Sequence, residues 1–266
     1  MDDKFRVTDS ESSHKIELLL DETPVSWLYV NDLDFKVRKI YLKMGGIGGV
    51  RTLEEHRMKG YSRKVIEYSI DYMTKNHYDI SMLYGIPDYY SKWGYVSTLP
   101  DYKITMPLRN AERAKEGLHP RAMSREDAGT VLDIYELANQ GRTGPIKRQR
   151  DKWFKFRKGS DWGIPADGTV LEDDSGEIEG YYASDRWPRV MKVTEVGARD
   201  IRFYENMLKH ISEVAARKKA TELEMFVPFD HEFADLCKRL GCVFRMEYHH
   251  DAMGMGRIID LKSTMQ

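Results

Sequence analysis

Short runs of alternating apolar and polar residues fill the first third of the chain, and this alternation predicts strands. Residues 15–20 (KIELLL) and 25–30 (VSWLYV) flank Asp21-Glu22-Thr23-Pro24, a turn signal, and read as an antiparallel pair. Residues 36–43 (KVRKIYLK) alternate again and are expected as one further strand. The stretch Gly45-Gly46-Ile47-Gly48-Gly49-Val50-Arg51-Thr52 follows. Glycine weakens a strand and marks a bulge or a place where a ligand or another backbone comes close. The period then changes to that of a helix over 61–75. Val65, Ile66, Ser69, Ile70 and Met73 share one face, and Asn76 is a stop. Residues 80–86 read as a buried strand. Pro87 opens a short helix through Trp93, Gly94 ends it, and 95–108 return as a strand.

The polar stretch 109–118 (RNAERAKEGL) is the expected domain boundary, giving units 1–112 and 113–266. Ser124-Arg125-Glu126-Asp127 is similar to a capping box, and Val131, Leu132, Ile134, Tyr135, Leu137 and Ala138 follow at helical spacing. A short helix is expected around 147–158. A hairpin is expected at 169–172 and 178–183 around Asp173-Asp174-Ser175-Gly176. Then come a strand at 191–197 and a helix over 200–216, with Ile201, Tyr204, Leu208, Ile211 and Ala215 on one face. A strand at 222–228, a helix at 230–240 and a strand at 242–249 complete the series. Hairpin, strand, helix, strand, helix, strand thus occurs twice, as architecture rather than sequence identity. The fold class is α/β with mixed sheets.

Composition narrows the function classes. The 266 residues suffice for two domains of about 100 to 150 residues each. Lys plus Arg (42) nearly balances Asp plus Glu (43), so no global field attracts nucleic acid or an anionic membrane. Two cysteines, Cys237 and Cys242, are too few for a disulfide scaffold, and no metal-ligand spacing surrounds them. The N-terminus lacks an apolar signal core, and the apolar runs fall far short of the roughly 20 residues that span a bilayer. These features lead to the expectation of a cytoplasmic protein with neither a metal nor a membrane partner.

The segment between strand 47–53 and the helix from about 60 carries the candidate chemistry. A helix N-terminus offers unpaired N–H groups and the positive end of a dipole, which suits phosphate. Arg57 and Lys59 add charge at the rim. Gly60 removes a Cβ from the approach, and Ser62 adds a hydroxyl. A solvated loop of the same composition looks similar. The second element is Tyr89-Tyr90-Ser91-Lys92-Trp93-Gly94-Tyr95, reached through the strand 80–86.

Together, Arg57-x-x-Gly60-x-Ser62 and Tyr89-Tyr90-x-x-Trp93-Gly94-Tyr95 resemble the two signatures of the GNAT superfamily of N-acetyltransferases, with Ser62 in place of Gly or Ala. Val50-Arg51-Thr52 and Glu54 to Arg57 ahead of Gly60 are similar to the bacterial enhanced-intracellular-survival group, which carries two GNAT units in tandem. So, in outline, are His119 to Met123 and the Arg148 to Trp153 spacing. The resemblance covers residues 15–108 well and 119–260 in outline. It implies acetyl-CoA as co-substrate, with Val50, Arg51 and Thr52 beside the pantetheine arm. Arg57, with Met58, Lys59, Gly60, Tyr61, Ser62 and Arg63, would hold the pyrophosphate, and Gly85 and Ile86 would line the splay between two strands. It also implies direct attack by a primary amine, on a small molecule or a protein, with Tyr90 as general acid. A phenol of reference pKa about 10 suits a departing thiolate.

Three departures are visible. Only about 14 residues precede the first hairpin, too few for the usual opening strand and two acceptor-side helices, so either the second unit or another subunit, as in a homodimer, is expected to close the acceptor side, or the site is unusually open. Val196-Gly197-Ala198-Arg199-Asp200 stands where a second pyrophosphate loop would be, so one acyl-CoA site per chain is expected. The group's third domain, which brings a terminal carboxylate to the site, has no counterpart before Gln266. Glu54, Glu55, His56 and Asp88 remain as candidate bases beside a water chain. Two other readings stand next to the enzyme. One is a non-catalytic acyl-CoA sensor or scaffold. The other is a nucleic-acid module at 147–158, where seven basic residues interleave with Trp153, Phe154 and Phe156.

Overall fold

The computed structural model describes residues 4–115, 117–161, 163–186 and 191–265; Gln266, the expected end of the second unit, lies outside them. The chain forms two compact units. The first comprises 1–100, 141–147 and 248–266, and the second 101–140 and 148–247, a different division from a single boundary at 112.

The first unit opens with β1 (Lys4–Ser10), a strand absent from the sequence reading, followed by β2 (Ser13–Leu20), β3 (Thr23–Val37) and β4 (Ile40–Thr52). Asp21 (φ 45°) and Glu22 (φ 65°) are both left-handed and close the β2–β3 hairpin, as a two-residue primed turn requires. Arg38 (φ 54°) sits at the tip of the next hairpin. Residues 36–43 are therefore the ends of two strands around a tight turn, not one strand.

Helix α1 (Tyr61–Lys75) then crosses over to β5 (Ile80–Gly85), which runs parallel to β4. All five residues expected on the buried face of α1, from Val65 to Met73, are buried. They pack on Ile16, Leu18, Leu28, Val30, Ile47 and Leu83 from the sheet. In place of the helix expected from Pro87, a single 3₁₀ turn forms at Tyr90–Trp93, ahead of β6 (Val96–Leu99).

Pro100 breaks the strand expected over 95–108. Beyond it, β7 (Asp101–Pro107) belongs to the second unit. That unit continues with α2 (Leu108–Ala111), β8 (His119–Ala122), α3 (Ala128–Ala138), β9 (Ala166–Glu172), β10 (Ile178–Asp185), β11 (Met191–Ala198), α4 (Phe203–Arg217), β12 (Glu222–Met225), α5 (Glu232–Leu240) and β13 (Val243–Glu247). The chain ends with β14 (Met253–Ile258), which joins the first unit's sheet, and α6 (Leu261–Thr264).

The sheets are two mixed, seven-stranded assemblies, ordered β1-β2-β3-β4-β5-β14-β6 and β13-β7-β12-β11-β10-β9-β8. Each has one parallel pair, β4 with β5 and β11 with β12, spanned by α1 and α4 respectively. Tyr204, Leu208, Ile211 and Ala215 of α4 are buried as expected, but Ile201 precedes the helix and is 47% exposed.

No helix forms over 147–158. Arg148 turns inward onto Glu195, and Trp153 and Phe156 pack on the cluster of Val131, Ile134, Tyr135, Val170 and Tyr181. These contacts place residues 148, 153 and 156 on one side of an irregular chain.

A partly buried polar pair in the second unit gives a pH prediction. Tyr182 meets His210 Nδ1 at 3.2 Å. Burial first, then nearby Arg217, pushes the His210 pKa down to about 4 from 6.5. The unfolded chain therefore takes up a proton that the folded protein refuses. This contribution to stability is full above pH 6.5 and is lost as pH falls toward 4. Allowing for partial exposure, it amounts to about 1–2 kcal/mol. Thermal melts of wild type and His210→Gln between pH 7 and 4 check this. A variant whose Tm falls as steeply as wild type excludes His210 as the cause.

Candidate functional site

The β4–β5 ladder ends at the pair Ile47–Leu83, and beyond it the parallel strands part. On β3, Trp27 pairs with Arg51 and Tyr29 with Gly48, so Leu28 alone opposes Gly49 and Val50. This is a bulge, with Gly49 left-handed at φ 61° and a Cβ there falling 2.9 Å from the Tyr29 ring. The glycine-rich run thus bends one wall of the splay. Val50, Arg51 and Thr52 lie on that wall, and Gly85 and Ile86 on the other. Gly85 allows close packing, because a Cβ would meet Met255 Sδ at 2.4 Å and the Tyr90 ring at 3.1 Å.

From Thr52 the chain makes a 3₁₀ turn at Glu54–His56 and enters α1 through Arg57 to Gly60. Met58 (φ 61°) and Gly60 (φ 80°) are left-handed, and Met58 is fully exposed. The first helical bond to Gly60 is made by the Lys64 N–H, at 3.2 Å. The N–H groups of Tyr61, Ser62 and Arg63 thus have no helical acceptor, as at any helix start. The Arg63 guanidinium folds back over Gly60, where a Cβ would lie 3.2 Å from it.

A cleft of about 630 Å³ opens here, lined by Thr52, His56, Arg57, Met58, Gly60 to Arg63, Glu67, Tyr89, Lys92 and Trp93. Among the described residues, Arg57, Lys59 and Arg63 have no carboxylate within ion-pair distance. Ser62 Oγ lies 2.6 Å from the Tyr89 hydroxyl. The hydroxyl that replaces the usual Gly or Ala therefore ties α1 to the second motif. Glu67 and Lys92 were not singled out in the sequence. Glu67 stands four residues beyond Arg63 on the same helix face, and Lys92 occupies a variable position inside the second motif.

Tyr90 is placed differently from its neighbour. Its ring is 8% exposed and packs against Gly85 and Tyr95, while Tyr89 lines the cleft. Burial first, then Tyr89, raises the Tyr90 pKa above 10.0, so the phenol stays protonated across neutral pH. Of the candidate bases, Glu54, Glu55 and Asp88 are exposed. His56 stands in the cleft wall, with its Nδ1 enclosed and unpartnered.

The corresponding turn of the second unit, 199–202, is shorter. Arg202 pairs with Asp200 inside the turn, and Arg199 donates to the Ile178 carbonyl of β10, so both cations are engaged. The basic stretch 147–158 is likewise partly committed, Arg148 to Glu195 and Arg150 to Asp133. Among the described residues, no helix is long and apolar enough to cross a membrane.

Residues 5–97 match the family described as acetyltransferase (GNAT) domain. No curated protein matches the sequence. Among solved structures, a probable N-acyltransferase of Enterococcus faecalis superposes with a TM-score of 0.75 at 16% identity, over 95% of this chain and 64% of its own. A GCN5-related N-acetyltransferase of Kribbella flavida gives 0.70 at 16%, over 92% and 60%. Eis1 of Mycobacterium abscessus gives 0.63 at 12%, over 94% and 66%. The chain thus spans less than two thirds of the length of these proteins. Residues 5–97 thus match a GNAT acetyltransferase domain, and the chain across both units shares the fold of these solved structures.

Proposed function

We propose that the protein is an N-acyltransferase that moves an acetyl group from acetyl-CoA to a primary amine by direct attack. The observation that carries this reading is the cleft at the start of α1. There, a bulged and splayed strand leads through a left-handed turn into α1, and Arg57 and Arg63 line the cleft with, among the described residues, no carboxylate within ion-pair distance. Arg57 to Arg63 would take the pyrophosphate with backbone N–H groups and side-chain charge. The splay between Val50–Thr52 and Gly85–Ile86 would take the pantetheine arm. A strand N–H beside the thioester would stabilise the developing oxyanion, and Tyr90 would return a proton to the departing thiolate. Holding amine and thioester together supplies much of the remaining acceleration.

Acetyl-CoA at 100 times its Kd is expected to stabilise the folded protein by about 2.7 kcal/mol, which raises Tm by about 5–10 °C. A melt that millimolar acetyl-CoA leaves unmoved refutes the reading. A shift with no free thiol released across a panel of amines favours a sensor that binds acyl-CoA without transferring the acyl group.

A further inference from the structure

The second unit holds a cavity of about 570 Å³ beside the C-terminal half of α4, and the proposed reaction does not use it. Its floor follows from strand register. Thr169 on β9 pairs with Ala122 on β8 and with Tyr182 on β10, and Asp167 pairs with Ser184 one step along, so these residues share one face of the sheet. His210, Val214 and Arg217 stand at i, i+4 and i+7 on α4 and supply a wall. Tyr182 is buried, and its hydroxyl meets His210 Nδ1 at 3.2 Å. Lys155 and Phe156, from the irregular stretch after α3, add to the lining.

The charges of this lining do not cancel. Arg121 is neutralised by Asp127 and Glu172, and Arg186 by Asp167. Among the described residues, Lys155 and Arg217 have no carboxylate within ion-pair distance. Two uncompensated cations therefore border one cavity. The last turns of a helix carry the negative end of its dipole, so the α4 backbone supplies no attraction for an anion here and the side chains must.

We propose that this cavity binds a small phosphate monoester, with the dianion on Lys155 and Arg217 and the carbon skeleton against Phe156 and Val214. The site shares no residue with the cleft at α1 and stands whether or not the protein takes acyl-CoA. A monoester carries close to two negative charges at neutral pH, which matches two cations, and a guanidinium fits a phosphate with two parallel hydrogen bonds. A carboxylate would leave one cation unanswered. The hydroxyls of Thr169 and Ser184 on the floor are further donors. His210 is the internal reporter. Burial first, then Arg217, keeps its imidazole neutral at neutral pH. The groups that line the cavity with it are Tyr182 from β10, Arg217 from α4, Lys155, and the pairs Arg186–Asp167 and Arg121–Asp127. A dianion seated among them would favour the imidazolium and raise the His210 midpoint.

The test uses phenyl phosphate, followed by calorimetry and by the His210 imidazole signals in NMR. It is expected to bind, to move those signals and to raise the His210 midpoint, whereas phenol does neither. Lys155→Gln and Arg217→Gln, both at exposed positions, each weaken binding by about tenfold, and added salt weakens it in wild type. Arg63→Ala and saturating acetyl-CoA leave the Kd unchanged. His210 signals unmoved by millimolar phenyl phosphate overturn the inference, as does a Kd unchanged in both charge variants. Displacement by acetyl-CoA would put the phosphate at α1 and overturn it too. Inorganic phosphate binding as tightly as phenyl phosphate would refute the assignment of an ester. None of these outcomes bears on acyl-CoA binding, which the thermal shift tests separately.

Discussion

Tyr90→Phe is expected to lower kcat by about 10²–10⁴-fold while leaving acetyl-CoA affinity within about twofold, the range for loss of a positioned general acid. The substitution keeps the ring that packs against Gly85, Tyr89 and Tyr95, so the fold loses only a hydroxyl. Because burial raises the phenol's pKa above 10.0, the group is in its acid form throughout the physiological range. The acid role then predicts a kcat profile with no decline attributable to Tyr90 until pH passes about 10, where the proton is lost. Tyr89→Phe makes the necessary contrast. It deletes the partner of Ser62 on the wall of the cleft, so its effect belongs in KM and amounts to about 1 kcal/mol. Steady-state kinetics of both variants with a responsive amine decide the matter. Turnover in Tyr90→Phe equal to wild type removes Tyr90 from the reaction.

The parts of this site that could be read from the sequence are those with a local physical cause. The buried face of α1 follows from helical spacing alone, and Val65, Ile66, Ser69, Ile70 and Met73 are all inside. The glycine run 45–49 signals an irregular strand, and the irregularity is the bulge at Gly49. Contacts distant in the chain were hidden. β14 is a strand of the sequence Met-Gly-Met-Gly-Arg-Ile. Its two glycines depress strand propensity, and only pairing with β5 and β6 on both sides makes it one. The exchange of β7 and β14 between units leaves no mark except Pro100. Lys92 and Glu67 become neighbours of the cleft only because Tyr89 and Trp93 fold back on α1.

The stretch 147–158 was misread for a related reason, and Arg148→Ala is the variant that exposes why. It is expected to cost about 3–5 kcal/mol, the range for breaking a buried pair from one side. Arg148 meets Glu195 through both guanidinium nitrogens, at 2.8 and 2.5 Å, while Tyr181 donates to the same carboxylate at 2.8 Å. The guanidinium also stacks over Tyr135 at 4.0 Å and Trp153 at 4.9 Å. Burial disfavours the charge, but Glu195 outweighs it and the arginine pKa is raised. Its side chain is 19% exposed and that of Glu195 25%, so water would replace little of what is lost. Alanine removes the stacking and leaves a carboxylate facing the enclosed phenol of Tyr181 alone. Most of the predicted loss is therefore the stranded charge rather than the net worth of the pair. The triple variant Arg148→Met, Glu195→Leu, Tyr181→Phe removes every member of the network and should be more stable than Arg148→Ala. Urea titrations of the two variants measure the difference. A cost below about 1 kcal/mol for Arg148→Ala, or a triple variant weaker than the single one, would show that the network is not what holds this segment inward.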